Sequence, residues 1–166
     1  MDWLVMLMVI VSMETGGDPI NMIGDQGQAL GIVQIHMGVV AEYNSDHGTF
    51  YSHTDVRNPN LSITIVRWYL KKWEKNYERI TGKQATPDIL YRIWNGGPAG
   101  WKKSSTEKRG NLALVRYNKF QSMDRKEQLK LYNHWIRAFK DVQIPNKKIP
   151  TLEEKMEKMV TTVASR

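Results

Sequence analysis

A mainly helical domain with a small β element is what this 166-residue chain predicts, and three features predict it. Residues Trp3 to Val11 form an unbroken apolar run, which suits a helix buried on all sides rather than one lying on the surface. Residues 60 to 77 repeat Val66, Tyr69, Leu70, Trp73 and Tyr77 at helical spacing. Helix-start signals recur: Thr86-Pro87-Asp88 sets a hydroxyl before a proline at the first helical position, and Asp124 opens a later amphipathic stretch.

The elements follow in order. Residues 3–14 form the buried helix. Residues 18–36 form a glycine-spaced loop with a short extended pair, because Gly31-Ile-Val-Gln-Ile35 starts at glycine and is rich in β-branched residues. Residues 37–44 suit one or two helical turns. Residues 45–60 are dense in Asn, Ser, Asp, His and Thr and read as irregular, with Asn58-Pro59 as a turn signal. The amphipathic helix over 60–77 follows. The Thr86-capped helix runs to Trp94 and breaks at Asn95-Gly96-Gly97-Pro98. Two more helices are expected over 111–121 and 124–141. Pro145 and Pro150 bracket a linker, and residues 151–164 set Leu152, Met156, Met159 and Val160 on one helical face. Residues 1–145 are therefore expected to be one domain, with 146–166 as a linker and a helix packing on it.

Composition agrees. A chain this long can bury roughly 70% of its unfolded surface, and 41% hydrophobic residues with six tryptophans supply a core. There is no cysteine, which excludes a disulfide framework and any Cys-based zinc site. Charge is divided unevenly. Residues 1–60 hold seven acidic residues and one basic, whereas residues 61–166 hold ten and 23. The basic part suits a polyanionic partner, or is simply a set of solvated helix faces.

The chemistry-bearing residue is Glu14. It ends the apolar run on the face of Leu7, Ile10 and Val11, and Gly16 or Gly17 can supply the left-handed residue that stops the helix. The negative end of the helix dipole and apolar neighbours both favour its protonated form. A carboxyl that keeps its proton near neutral pH can act as a general acid. The plainer alternative is a solvated glutamate ending a core helix. Downstream stand Gly24-Asp25, then Gly31-Ile-Val-Gln-Ile35, then Trp94-Asn-Gly-Gly-Pro98.

With Glu14-Thr15, these three segments resemble, in order and rough spacing over residues 3 to about 120, the catalytic core of the goose-type lysozyme and soluble lytic transglycosylase superfamily. The family has a catalytic Glu-Ser, a Gly-Leu-Met-Gln-Ile-like segment and a Tyr-Asn-x-Gly-Pro-like turn. Its goose-type branch also has a Gly-Asp pair. Thr15 stands in place of the usual Ser and Trp94 in place of Tyr. His36 occupies the place where some goose-type enzymes carry a second Asp.

The resemblance implies a lysozyme-like helical fold and cleavage of the β-1,4 bond between N-acetylmuramic acid and N-acetylglucosamine in peptidoglycan. Glu14 is then the general acid. Asp25 either orients a hydrolytic water or merely caps a loop. The internal route through the muramyl 6-hydroxyl, which gives a 1,6-anhydro product, stays open beside hydrolysis. Gln34, Ile35, Gly31, His36, Trp94, Asn95, Gly96 and Tyr117 are the residues expected to line the substrate groove. Gln34 would bond an acetamido group, Gly31 would admit a sugar close to the backbone, and Tyr117 matches a late family tyrosine near the catalytic Glu. For Gly31 a simple bulge, and for Trp94 and Tyr117 a place in the core, are the competing readings.

No cofactor is needed for this chemistry, and a monomer without stable membrane insertion is expected. Met1-Asp2 lacks a basic leader and the apolar run is too short to span a bilayer. The expected routes to the wall are therefore a holin-like pore, a virion, or excision from a larger protein, and the abrupt start suggests a missing upstream helix. A rival reading is a zinc amidase or peptidase built from His36, Asp46, His47, His53 and Asp55, although their spacing fits no His-Glu-x-x-His pattern. A non-catalytic wall-binding protein is another. Nucleic-acid binding through Lys71, Lys72, Lys75, Arg79, Lys102, Lys103, Lys108 and Arg109 lacks a recognised motif, and no nucleic-acid partner is expected.

Overall fold

A computed structural model describes residues 1–142. The linker and C-terminal helix expected over 146–166 lie outside the described residues.

The described residues are mainly helical, with six α-helices and a small antiparallel sheet. Helix α1 (Trp3–Glu14) is capped by Asp2, whose carboxylate accepts from the backbone N–H groups of Leu4 and Val5. Its residues Val5 to Val11 are all buried, which is why the run is apolar on every side. It packs against α5 (Glu107–Gln121), α3 (Pro59–Thr81) and α6 (Arg125–Asp141). Arg125 bonds the Asp2 carboxylate at 2.9 Å, tying the start of α6 to the start of α1.

The loop after α1 differs from expectation in its detail. Three two-residue strands, β1 (Ile23–Gly24), β2 (Ala29–Leu30) and β3 (Ile35–His36), pair in that order. Only the end of the Gly31–Ile35 segment is extended. Gly31 to Gln34 form the turn between β2 and β3, closed by a bond from the Gln34 N–H to the Gly31 carbonyl at 3.1 Å. The β-branched residues Ile32 and Val33 are fully buried from within that turn, so burial rather than strand pairing selects them.

Helix α2 (Met37–His47) runs longer than expected and ends at the left-handed Gly48. Asn58-Pro59 is a helix start rather than a turn. The Asn58 side chain accepts from Asn60 and Leu61, and Pro59 takes the first position of α3. Helix α4 (Pro87–Gly96) includes Asn95, so the expected break falls two residues late. Thr86 holds the cap position, but its hydroxyl donates to Asp88 rather than capping the backbone. Helix α6 starts as predicted, with the Asp124 carboxylate accepting from Lys126 and Glu127. No helix among the described residues is long and apolar enough to cross a membrane.

Candidate active site

Glu14 is the last residue of α1 and half-buried. It faces a cavity of about 300 Å³ lined also by Asp25, Ala29, Gln34, His36, Val39, Trp94, Asn95 and Arg109. Residues of α1, the 24–36 loop, α2, α4 and α5 thus meet around one carboxyl.

The Tyr91 hydroxyl donates to Glu14 Oε1 at 2.7 Å. Burial is the largest influence on Glu14 and pushes its carboxyl above the ordinary value. The nearby Asp25 carboxylate adds to the rise, and the Tyr91 bond, Arg109 and His36 oppose it without overcoming it. Arg116 donates to the carbonyl and hydroxyl of Ser12, which places a cation at the C-terminal end of α1. Tyr91 itself is fully buried, and burial together with Glu14 holds its phenol protonated well beyond the ordinary range. It is therefore a donor to Glu14 at any working pH.

Thr15 explains how the loop is held beside Glu14. Its buried hydroxyl donates to the Ile32 carbonyl at 3.0 Å and accepts from the Gly17 N–H. This one hydroxyl links the end of α1 to the β2–β3 turn.

Asp25 is exposed and faces His36, with Oδ2 3.2 Å from His36 Nε2. Asp25 and Gln26 both have left-handed backbone, at φ 46° and 57°. Such conformations cost about 1 kcal/mol or more outside glycine and cluster at functional sites. Gln34, at φ 56°, is the third non-glycine left-handed residue among those described, and all three lie in this loop.

Several expected lining residues have other duties. The Gln34 amide N–H₂ donates to the carbonyls of Asn21 at 2.9 Å and Gly31 at 3.0 Å, so it staples the loop, and only its oxygen is left for a ligand. Gly31 is buried at φ 82°, and a Cβ there would collide with the Val56 carbonyl and the Ser62 hydroxyl. Its close approach is to another part of the backbone, not to a sugar. Ile35 is a core residue with no exposure. Gly96 packs against the Thr106 methyl and gives its carbonyl to Lys103. Tyr117 is buried and accepts from the Asp2 N–H at 3.0 Å. The tyrosine on Glu14 is Tyr91 instead. Trp94 serves both readings: its ring meets Tyr69 edge-to-face at 5.6 Å, and it also lines the cavity beside the exposed Asn95.

Tyr91 and Arg109 escaped the sequence reading. Tyr91 precedes Asn95 by four positions and so shares its helical face, a signal that was present. Arg109 stood in a basic tract with nothing to single it out. Its guanidinium lies 5.8 Å over the Tyr91 ring.

The histidine cluster does not assemble. His53 Nε2 meets the Ile35 carbonyl at 2.7 Å, and His47 Nδ1 meets the Tyr43 carbonyl at 3.0 Å. Carbonyls only accept, so both nitrogens are donors there and are closed to a metal. Asp46 pairs with Lys72, and Asp55 caps the turn begun by Ser52. Among the described residues, no three His, Cys, Asp or Glu side chains group so as to hold a metal ion.

No protein-family model matches the chain, and no curated protein or solved structure matches it either. The fold and the site together define a mainly helical domain with a half-buried carboxyl, raised in proton affinity by burial, facing a cavity.

Proposed function

We propose that this chain is a lysozyme-like glycosidase that cleaves the β-1,4 bond between N-acetylmuramic acid and N-acetylglucosamine in peptidoglycan. The observation that carries the reading is Glu14: a half-buried carboxyl with raised proton affinity, fixed by Tyr91 and facing a cavity. Glu14 protonates the glycosidic oxygen as the bond to the anomeric carbon breaks.

Hydrolysis is the route the second carboxylate favours. Asp25 lines the same cavity, held by His36 and a strained backbone. There it accepts a proton from the water that attacks the anomeric carbon, as inverting glycosidases do with paired carboxyls. Trp94 offers an apolar edge to a sugar ring. Asn95, His36 and the Gln34 oxygen offer polar contacts to its substituents. No cofactor takes part.

The test is mass spectrometry of the fragments released from purified peptidoglycan, with Glu14→Gln and Asp25→Asn run alongside. Reducing muramic acid ends, lost in both variants, are expected. Anhydro-muramic ends that persist in Asp25→Asn would replace hydrolysis with the internal route. Cleaved peptides on intact glycan would overturn the glycosidase reading.

A further inference from the structure

Helix α3 carries a second concavity, of about 690 Å³, away from the Glu14 cavity. Ile63 and Trp68 contribute its apolar surface, and Arg67, Lys71 and Lys75 its charge. These three cations recur every four residues, so they form a row spaced about 6 Å apart along the helix. All three are exposed, and among the described residues none makes an ion pair. Glu74 on the same helix lies near enough to Lys71 and Lys75 to feel their charge, without pairing to either.

Lys72 shows what a committed lysine looks like in the same groove. Its Nζ lies 2.6 Å from Asp46 and 2.9 Å from Glu42, and it sits over the Trp68 ring at 5.1 Å. Arg67, Lys71 and Lys75 have no such acid partner among the described residues.

We propose that this row is a second binding site, for a phosphodiester-linked polyol chain of the teichoic-acid class. Repeating anionic charge matches repeating cations. The groove's aromatic surface argues against nucleic acid as the polyanion. Single-stranded nucleic acids stack their bases on open aromatic faces. Here Lys72 covers the Trp68 ring while Tyr43 and His47 meet it edge-on, and Lys71 stands 5.5 Å over the Trp3 ring. The groove thus offers charge without a stacking platform. The choice of a cell-wall polymer among base-free polyanions rests on the glycan-cleaving reading above, but the binding is read without any cleavage step.

The experiment titrates the full chain with purified poly(glycerol phosphate), following tryptophan fluorescence at several salt concentrations. Three phosphate contacts predict a log–log salt slope of about −2, a loss of about 20-fold in affinity between 50 and 200 mM salt. The triple change Arg67→Gln, Lys71→Gln, Lys75→Gln should abolish that slope. The triple change Lys108→Gln, Lys119→Gln, Lys126→Gln removes equal charge elsewhere and should leave it within about a factor of two. Equal loss in the two triples would overturn the site and leave only bulk charge. Binding retained in the α3 triple would overturn it as well. Single-stranded DNA of matched charge binding as tightly as poly(glycerol phosphate) would overturn the choice of partner. Loss of cleavage with this binding intact would count against the proposed function alone.

Discussion

The 24–36 loop and the α3–α6 scaffold are built by opposite rules. The scaffold follows local chemistry: Asn58 and Asp124 cap their helices with side-chain oxygens, and α3 ends at a left-handed glycine. The loop goes against it. Its strands are two residues long, and it holds three non-glycine residues in left-handed backbone. It is kept in place by side chains bonding to distant carbonyls, from Thr15 to Ile32 and from Gln34 to Asn21. Where local preference is overridden, tertiary contacts must hold the conformation, and such places are expected at functional sites. The cavity lies against the loop.

The largest expected effect falls on Glu14. Glu14→Gln should lower kcat by about a hundred- to ten-thousandfold, the usual contribution of general acid catalysis. It should also stabilise the fold at neutral pH. Burial raises the folded carboxyl above its ordinary value of 4.5. As pH rises from there towards the folded pKa, the unfolded chain releases a proton that the folded state keeps, so stability is lost across that window. The glutamine variant lacks this loss. Its melting temperature should exceed that of the parent by more at pH 7 than at pH 4, and a constant difference would show that Glu14 is not held protonated by the fold.

Glycine exchange sharpens the contrast inside the loop region. Gly31→Ala forces a Cβ into the Val56 carbonyl at a left-handed φ and should cost roughly 2–3 kcal/mol. Gly16→Ala has a similar φ but open space around it, and should cost about 1 kcal/mol. Equal costs in chemical denaturation would mean that the loop yields where it meets the 56–62 segment. On the scaffold, Asp124→Ala should cost about 1 kcal/mol and leave cleavage unchanged, since it removes only a helix cap.

This contrast also accounts for what could be read from the chain. Helix positions were legible where the apolar pattern is long, as in α1 and α3, and where a stripe and a cap coincide, as in α6, whereas the Asn58 cap of α3 reads as a turn in the sequence. The start of α5 was not, because Glu107-Lys-Arg-Gly110 has no apolar stripe and its glycine resembles a breaker. Gly110 is there because α5 crosses α4 closely, and a Cβ would strike the Arg92 side chain. Glu14, Asp25, Gln34, His36, Trp94 and Asn95 do share one cavity. Gly31, Ile35, Gly96 and Tyr117 do not, because their residue types answer packing demands that come from elements far away in sequence. Tyr91 was legible in part, four positions before Asn95 on one helical face, whereas Arg109 comes to the site from α5, which packs against both α4 and α1, and no spacing within one helix encodes that.

Those two residues allow the finest test of how the site sets the proton affinity of Glu14. The Tyr91 hydroxyl and the Arg109 charge both favour the ionised carboxyl and act against burial. Removing either leaves burial less opposed, so the alkaline limb of the pH–rate profile should move upward. Tyr91→Phe removes a direct hydrogen bond to a charged group, and kcat/KM should also fall about tenfold as Glu14 loses its fixed orientation. Arg109→Gln removes only a charge acting through space from an exposed position. Its shift should be smaller and should shrink at high salt, whereas that of Tyr91→Phe should not. Salt-insensitive shifts of equal size in the two variants would mean that Arg109 acts by holding the Tyr91 ring, 5.8 Å beneath it, rather than by its field on Glu14.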